Sequence, residues 1–185
     1  MLSNAAFRVR KTLNAANPSS NGRLLTLSDR RYQLLSGAFR VDLDAFDAHL
    51  RRAEKLQGTD ALVEYDRALA IYKGDFLGSE PYEWADAYRR DYQRRFRAAA
   101  HEAGRVALDC RDVKRATEFY RAILDRDPID EEAARALMRC HAKLGDGNSV
   151  RRTFKVLTES LRRELEDEKA EPLPETSGLL RELTA

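Results

Sequence analysis

Apolar side chains recur every three or four residues over most of the chain after residue 42, and this spacing predicts amphipathic helices. Three stretches share one arrangement: a small or β-branched residue, an aromatic ring four positions later, and another apolar residue three positions after the ring. Side chains at this spacing lie on one face of a helix. The three sets are Ala61, Tyr65 and Ala68; Ala116, Tyr120 and Ile123; and Val150, Phe154 and Leu157.

The three sets also follow a period. The second and third lie 34 residues apart, and the first and second lie 55 apart, which is 34 plus an insertion of 21. A period of 34 residues is that of the tetratricopeptide repeat. In the copy that starts at Arg97, Gly104 and Ala116 occupy small-residue positions, Tyr120 the aromatic position and Pro128 the proline position. We therefore predict a mainly α fold, a tetratricopeptide-like array of paired helices that forms a surface for binding partners.

Capping residues predict where these helices begin. Asp44, Thr59 and Asp112 are predicted N-caps, and Asn148 is available to cap the last long helix. Pro81 suits the first position of a helix of roughly 30 residues. Its apolar stripe would consist of Ala85, Tyr88, Tyr92, Phe96, Ala99, Ala103, Val106 and Cys110.

The N-terminal residues have a different pattern. Residues 5–15 predict a short helix. The runs 24–27 and 32–35 are hydrophobic and flank the polar residues 28–31, which predicts a β-hairpin with a four-residue turn. These are the only convincing strands that the pattern indicates.

Charge separates the same segment from the rest of the chain. Residues 1–40 carry seven Arg or Lys and one acidic residue, a net charge of +6, whereas residues 41–185 sum to −4. A basic block is typical of a segment that faces nucleic acid, although a solvated basic leader explains the charge equally well. We predict a domain boundary between residues 40 and 41.

The residues that usually carry catalysis form no constellation. The cysteines Cys110 and Cys140 form no CxxC pair and fit a reduced, cytoplasmic setting. Phosphate-binding and nucleophile-elbow motifs do not occur in the sequence. No apolar run is long enough to span a bilayer, and the N-terminus lacks the apolar centre of a signal peptide. We predict no enzymatic activity, no cofactor and no membrane partner.

The histidines do not predict a metal site either. Cys140 and His141 are adjacent, so on a helix they point about 100° apart. His49 is expected between the paired helices of the first repeat, and His101 is expected in solvent. Acidic pairs such as those at 131–132 are interpreted as intrahelical partners of Arg and Lys. We therefore predict no bound metal.

Trp84 is the only tryptophan, at the predicted start of the long helix. A packing anchor against the first helix pair is the preferred interpretation, and an exposed contact for a partner is the alternative.

Several segments resemble one family. They are the run from Tyr65 to Leu77, Tyr82-Glu83-Trp84-Ala85, and the run from Asp127 to Glu132 followed by Met138 and Gly145. Together they resemble the bacterial transcriptional activator domain, over about residues 40–183. This all-helical, tetratricopeptide-like module occurs in regulators of the antibiotic regulatory protein type, where it follows a winged-helix DNA-binding domain.

The resemblance also implies roles for the N-terminal residues. Residues 7–13 resemble the end of a recognition helix, 24–35 the wing hairpin and 41–46 the junction. By this likeness three basic residues would face the major groove or its phosphates, and one of two at the hairpin tip would reach the backbone. The first group is Arg8, Arg10 and Lys11, and the second is Arg30 and Arg31. The family's N-terminal strands and first two helices have no counterpart here, which implies a fragment of a longer regulator or a decayed domain.

The resulting hypothesis is a transcriptional regulator or a fragment of one. Its helical body would contact protein partners, namely a second copy, RNA polymerase or a neighbouring regulatory domain, and its basic segment would contact double-stranded DNA. The alternative hypothesis is a tetratricopeptide scaffold that binds proteins and does not need DNA.

Overall fold

The structure is a computed structural model that describes residues 2–16, 24–35, 37–78 and 80–185. The chain divides into two compact units: an N-terminal unit, Met1–Ala45, and a helical unit, Phe46–Ala185. The predicted domain boundary lies close to this division and stays a prediction.

The N-terminal unit contains helix α1 (Leu2–Ala16) and a hairpin of strands β1 (Leu25–Ser28) and β2 (Arg31–Leu34). The strands pair antiparallel, with Leu25 opposite Leu34 and Ser28 opposite Arg31. Small apolar contacts hold the unit together, since Ala6, Leu24 and Leu25 are buried.

The hairpin turn is shorter than the four-residue turn predicted from the sequence. Only Asp29 and Arg30 lie outside the strands, and both have positive φ, 49° and 61°. Two positive φ values in a two-residue turn match the twist of the flanking strands, so pairing continues to Ser28 and Arg31. The sequence pattern missed this turn because the usual Asn-Gly or Asp-Gly signal is absent.

The helical unit is an array of antiparallel helices. Helix α2 (Asp42–Ala53) begins in the N-terminal unit and continues into this one. A 3₁₀ turn (Glu83–Ala85) precedes the longest helix, and neighbours in sequence pack on each other from α3 to α7, while α8 packs on α6 and α7. The remaining helices are α3 (Gly58–Ile71), α4 (Asp86–Asp109), α5 (Val113–Leu124), α6 (Glu131–Lys143), α7 (Gly147–Glu164) and α8 (Pro174–Thr184).

The predicted helix starts were partly wrong. Asp112 caps α5 as predicted, because its side chain accepts a hydrogen bond from the Arg115 amide at 3.0 Å. The last long helix is capped by Asp146, whose side chain accepts from the Ser149 amide at 2.9 Å, and not by Asn148.

The predicted first residues of the other helices also differ from the observed ones. Helix α2 begins at Asp42, two residues before the predicted cap Asp44, and α3 begins at Gly58 without a side-chain cap, so Thr59 does not cap it. Helix α4 begins at Asp86 and not at Pro81, because the 3₁₀ turn intervenes.

The core lies between the helix pairs. Of the ten residues predicted to pack the repeats, nine are buried, and Phe154 is partly buried against Met138, Val150 and Leu179. The closest approach is at Gly104, where an added Cβ would lie 2.5 Å from Cζ of Tyr120. A side chain larger than hydrogen therefore cannot be placed at position 104 unless the ring moves.

The apolar stripe of the long helix is not uniformly buried. Tyr92 and Phe96 are buried, but Tyr88 is 52% exposed. Tyr92 and Phe96 join Phe46 and Tyr72 in an aromatic cluster with ring centroids 4.8–6.2 Å apart. Ala85, which precedes α4, is also buried, so Tyr88 in the first turn of α4 interrupts the buried stripe.

Candidate partner and nucleic-acid surfaces

A groove of about 720 Å³ lies where the end of α3, the middle of α4 and the end of α5 meet. Its floor includes Tyr72, Phe96 and Ile123, all of which are buried. Its walls are charged: the basic members are Lys73, Arg90, Arg94, Arg97 and Arg126, and the acidic members are Asp75, Asp125 and Asp127.

Arg126 is held in this groove by two rings and by the backbone. Its guanidinium carbon lies 4.2 Å from the centroid of Phe96 and 5.4 Å from that of Tyr72. The guanidinium donates to the carbonyls of Tyr72 at 2.9 Å and Ala122 at 3.3 Å. Arg126 makes no ion pair with a described residue, so its positive charge remains available to a partner.

Tyr72 and Asp75 make the rim of the groove rigid. The Tyr72 hydroxyl donates to Oδ1 of Asp75 and the Gln93 amide donates to Oδ2, both at 2.9 Å. Burial raises the pKa of Tyr72, and the hydrogen bond to the Asp75 carboxylate raises it further. Tyr72 therefore stays a neutral donor at physiological pH.

The other groove cations differ in how they are paired. Arg94 pairs with Asp91, and Arg97 pairs with Asp130 and Glu132. Lys73 and Arg90 make no ion pair with the described part of the chain. The groove thus offers three unpaired cations, which suits a partner segment that carries carboxylates.

Asp130 is the most deeply buried carboxylate beside this groove, with 1% of its side chain exposed. It accepts hydrogen bonds from Arg97 and from the Ala133 amide, the latter at 3.0 Å, and so caps α6. Burial raises the pKa of Asp130, but His101, Arg97 and the Ala133 amide outweigh it and hold the pKa well below its usual range. Asp130 is therefore ionised throughout the physiological range.

His101 is not in solvent as predicted. Its side chain is 18% exposed, its Nε2 lies 3.6 Å from Asp130 and 3.8 Å from Glu132, and its ring lies 5.9 Å from that of Tyr120. The sequence pattern missed this because Asp130 arrives from a helix start that is distant in sequence. His101, Asp130 and Glu132 have a ligand-like spacing. However, Arg97 already binds both carboxylates, so a cation would have to displace it.

The acidic pair at 131–132 was interpreted as intrahelical, which is confirmed only for Glu131. Glu132 pairs with Arg97 of α4 at 3.0 Å. Glu131 accepts from the Leu173 amide at 2.9 Å and from the Thr176 hydroxyl at 2.5 Å, and it lies 3.8 Å from Arg135 one turn away. Its main role is tertiary, since it anchors the start of α8.

His49 lies between α2 and α3, where it was expected. Its Nδ1 lies 2.7 Å from Glu64, which also accepts from Arg52 at 2.8 Å and Arg67 at 2.7 Å. The hydrogen bond with His49, followed by those from the two arginines, lowers the pKa of Glu64 to about 2. The cluster ties the two helices through charge.

The basic residues proposed for DNA have different environments in the N-terminal unit. Arg8 and Lys11 are exposed on α1, Arg30 is exposed in the turn and Arg31 is exposed at the start of β2. Arg10 is half-buried, and its Nε donates to the Leu25 carbonyl at 3.1 Å, which ties α1 to the hairpin. None of the five makes an ion pair with a residue that the structure describes.

Trp84 is not a buried packing anchor. Its side chain is 60% exposed, and it lies among the rings of Phe76, Tyr82 and Tyr88. The helix predicted to start at Pro81 would have placed Trp84 in its first turn, but the chain is still in loop and 3₁₀ conformation there. The preferred interpretation is wrong, and the exposed role remains.

Within the described part of the chain, no helix is both long enough and apolar enough to cross a membrane.

Comparison with known proteins agrees with this architecture. A family model described as the bacterial transcriptional activator domain matches residues 41–183. No curated protein sequence matches the chain. Among solved structures, Mycobacterium tuberculosis EmbR in complex with a low affinity phosphopeptide is similar, with a TM-score of 0.69 and 15% identity. The match covers 98% of this chain and 48% of the EmbR chain, and it shows the shared fold.

Proposed function

The chain belongs to the bacterial transcriptional activator domain family, and we propose that it acts as a transcriptional regulator or as the regulatory part of a longer one. Its helical unit contacts protein partners, and the basic residues of its N-terminal unit contact duplex DNA. The chain spans about half of the length of the EmbR chain.

The observation that carries the protein-contact role is the groove with its unpaired cations. Lys73, Arg90 and Arg126 surround a floor of buried rings, and Arg126 is fixed by stacking and two carbonyls. A guanidinium that is held in place loses little further freedom on binding, which favours association. A partner segment rich in carboxylates fits this site, whether it comes from a second copy, RNA polymerase or a neighbouring domain.

A direct binding measurement tests this role. We expect purified chain to self-associate in analytical ultracentrifugation or to bind purified RNA polymerase in biolayer interferometry. The double variant Lys73→Glu with Arg90→Glu should weaken that association at least about tenfold, since like charges then face the carboxylates. The matched control is Lys114→Glu with Lys143→Glu, two exposed lysines without ion pairs among the described residues. Equal weakening in both variants would remove the groove from the proposal.

The DNA-contact role rests on four exposed cations: Arg8, Lys11, Arg30 and Arg31. Phosphate contacts need cations that are not already neutralised by the protein, and these four meet that condition. Arg10 is assigned instead to holding the hairpin against α1.

Salt titration of duplex binding tests the DNA role. Fluorescence anisotropy should show binding of the full chain at low salt, with log affinity falling as log salt rises. Changing the four cations to Ala should reduce the slope by about 0.9 for each phosphate that the protein then no longer neutralises. The control changes Lys55, Lys114, Arg139 and Lys143, which are exposed and unpaired among the described residues, to Ala. Undetectable duplex binding, or an unchanged slope, would favour the DNA-independent scaffold.

A further inference from the structure

Four rings form a largely exposed cluster between α3 and α4, which we name the aromatic patch: Phe76, Tyr82, Trp84 and Tyr88. Trp84 touches the other three, at centroid distances of 5.9 Å to Tyr82, 6.0 Å to Phe76 and 6.3 Å to Tyr88. Trp84, Tyr88 and Tyr82 are 60%, 52% and 46% exposed. Burial therefore does not explain why these large side chains are grouped.

The loop that carries the patch is fixed by Arg89. This side chain is only 16% exposed and donates to the carbonyls of Phe76 at 3.0 Å and of Glu80. It also pairs with Asp86 at 2.7 Å, so its charge is already used. Backbone bonds close the turns of the same loop, among them the Ala85 amide to the Tyr82 carbonyl at 2.8 Å. The rings are thus presented on a braced loop.

The charge of this segment is one-sided. Residues 74–88 contain no Lys or Arg, although the whole chain carries 33 of them. Their acidic residues are Asp75, Glu80, Glu83 and Asp86. Glu80 and Glu83 are exposed, lie close in sequence to Tyr82 and Trp84, and make no ion pair with the described residues. The patch therefore combines aromatic faces with free carboxylates.

This combination selects a particular cation. A guanidinium stacks flat on an indole or phenol ring and at the same time donates to a carboxylate. An ammonium is more strongly hydrated and lacks the planar face. We propose that the aromatic patch docks an arginine-bearing segment of a protein partner, with Trp84 and a neighbouring tyrosine stacking on the guanidinium and Glu80 or Glu83 pairing with it.

The inference rests on the protein-contact half of the proposed function and adds a second surface with the opposite charge preference to the groove. If the groove variants do not weaken association but the patch still binds the peptide, only the proposal for the groove is contradicted. The reverse result would affect only the patch.

Trp84 makes the test direct, because it is the only tryptophan and its fluorescence reports on the patch alone. The probes are acetylated, amidated tetra-arginine, tetra-lysine, tetraproline and tetraglutamate, titrated into the full chain at low salt. We expect a saturable change with tetra-arginine, at least about fivefold weaker binding of tetra-lysine, and no response to tetraglutamate.

Variants then assign the response. Glu80→Gln with Glu83→Gln should weaken tetra-arginine binding at least about fivefold, while the control Glu118→Gln with Glu182→Gln, also exposed and unpaired among described residues, should leave it unchanged. Tyr88→Ala should weaken binding, and Tyr32→Ala in the N-terminal unit should not. Binding of tetra-arginine to Trp84→Ala is measured by calorimetry, because this variant lacks the tryptophan. Circular dichroism confirms that each variant keeps its helices.

Other results overturn the proposal. They are an absent response to tetra-arginine, equal binding of tetra-lysine, tighter binding of tetraproline, and an effect of the control pair equal to that of Glu80 and Glu83. Concentration-dependent dimers that disappear in Trp84→Ala but persist in the double Gln variant would assign the patch to a second copy through its rings alone.

Discussion

The two units use the same cationic side chains in different ways. In the helical unit Arg52 and Arg67 converge on Glu64, and Arg97 binds Asp130. In the N-terminal unit Arg8, Lys11, Arg30 and Arg31 are exposed and make no ion pair with described residues. Net charge alone does not show whether an arginine has a structural role. The contacts of its side chain do, since Arg97 binds the Asp130 carboxylate and Arg10 donates to the Leu25 carbonyl.

Removing a buried partner in the helical unit should have the largest effect. Asp130→Ala deletes the cap of α6 and leaves Arg97 without its main acceptor, which should lower the free energy of unfolding by about 3 kcal/mol. Asp130→Asn keeps a capping oxygen and should cost clearly less. Urea denaturation measures both, and Asp112→Ala, an exposed cap, is the control at about 1 kcal/mol. A loss no larger at Asp130 than at Asp112 would contradict the assigned role.

Substitutions in the packing between repeats should have the next largest effect on stability. Gly104→Ala places a Cβ against the Tyr120 ring and should lower the free energy of unfolding by about 2 kcal/mol despite better helix propensity. Gly178 lies in α8, and a Cβ added there would meet no neighbouring atom within 4 Å. Gly178→Ala should therefore raise the free energy of unfolding by about 0.5–1 kcal/mol. Thermal denaturation distinguishes the two signs. Stabilisation by both substitutions would mean that Tyr120 does not pack closely on α4.

Substitution of one arginine in each unit tests whether the two units use arginine differently. Arg52→Ala removes one partner of Glu64 and should cost up to about 1 kcal/mol, because Arg52 is half exposed. Arg8→Ala should change stability by less than about 0.5 kcal/mol while weakening duplex binding. Denaturation and anisotropy on the same two proteins check this crossed pattern. Equal stability losses would remove the distinction.

A pH titration tests the Glu64 cluster with the smallest expected effect. The pKa of Glu64 falls from 4.5, its ordinary value, to about 2 in the fold, so the folded state binds fewer protons than the unfolded chain. Its contribution is fully present above pH 4.5 and is lost as the pH falls towards 2. Urea midpoints between about pH 6 and about pH 2.5 should therefore fall less steeply in Glu64→Gln than in the unaltered chain. Parallel curves would show that Glu64 does not contribute.

Sequence periodicity predicted the repeat helices well because amphipathicity is a local property. Tyr65 and Tyr120 occupy one face with their small neighbours, and both are buried. Boundaries were predicted less well, since Asp42 and Asp44, or Asp146 and Asn148, are equally good caps when viewed as residue types. The hydrophobic runs predicted the hairpin, but no pattern predicted the two-residue turn of Asp29 and Arg30.

The candidate site was less accessible to the same reasoning. Tyr88 and Tyr92 share one helical stripe, but the first is exposed and the second buried, because only the second faces Phe46. One signal for the aromatic patch was present in the sequence: four acidic residues and no basic one across residues 74–88. No sequence pattern indicated the role of Arg126, because the rings of Tyr72 and Phe96 that hold its guanidinium lie far from it in sequence.

The sequence by itself determined the helical class, the repeat period and the basic character of the N-terminal unit, because periodicity and composition are read along the chain. Only the tertiary structure decided which charges are neutralised and which rings face solvent. Those properties depend on residues such as Asp130 and Arg97, or Arg126 and Phe96, which the fold brings together from distant positions.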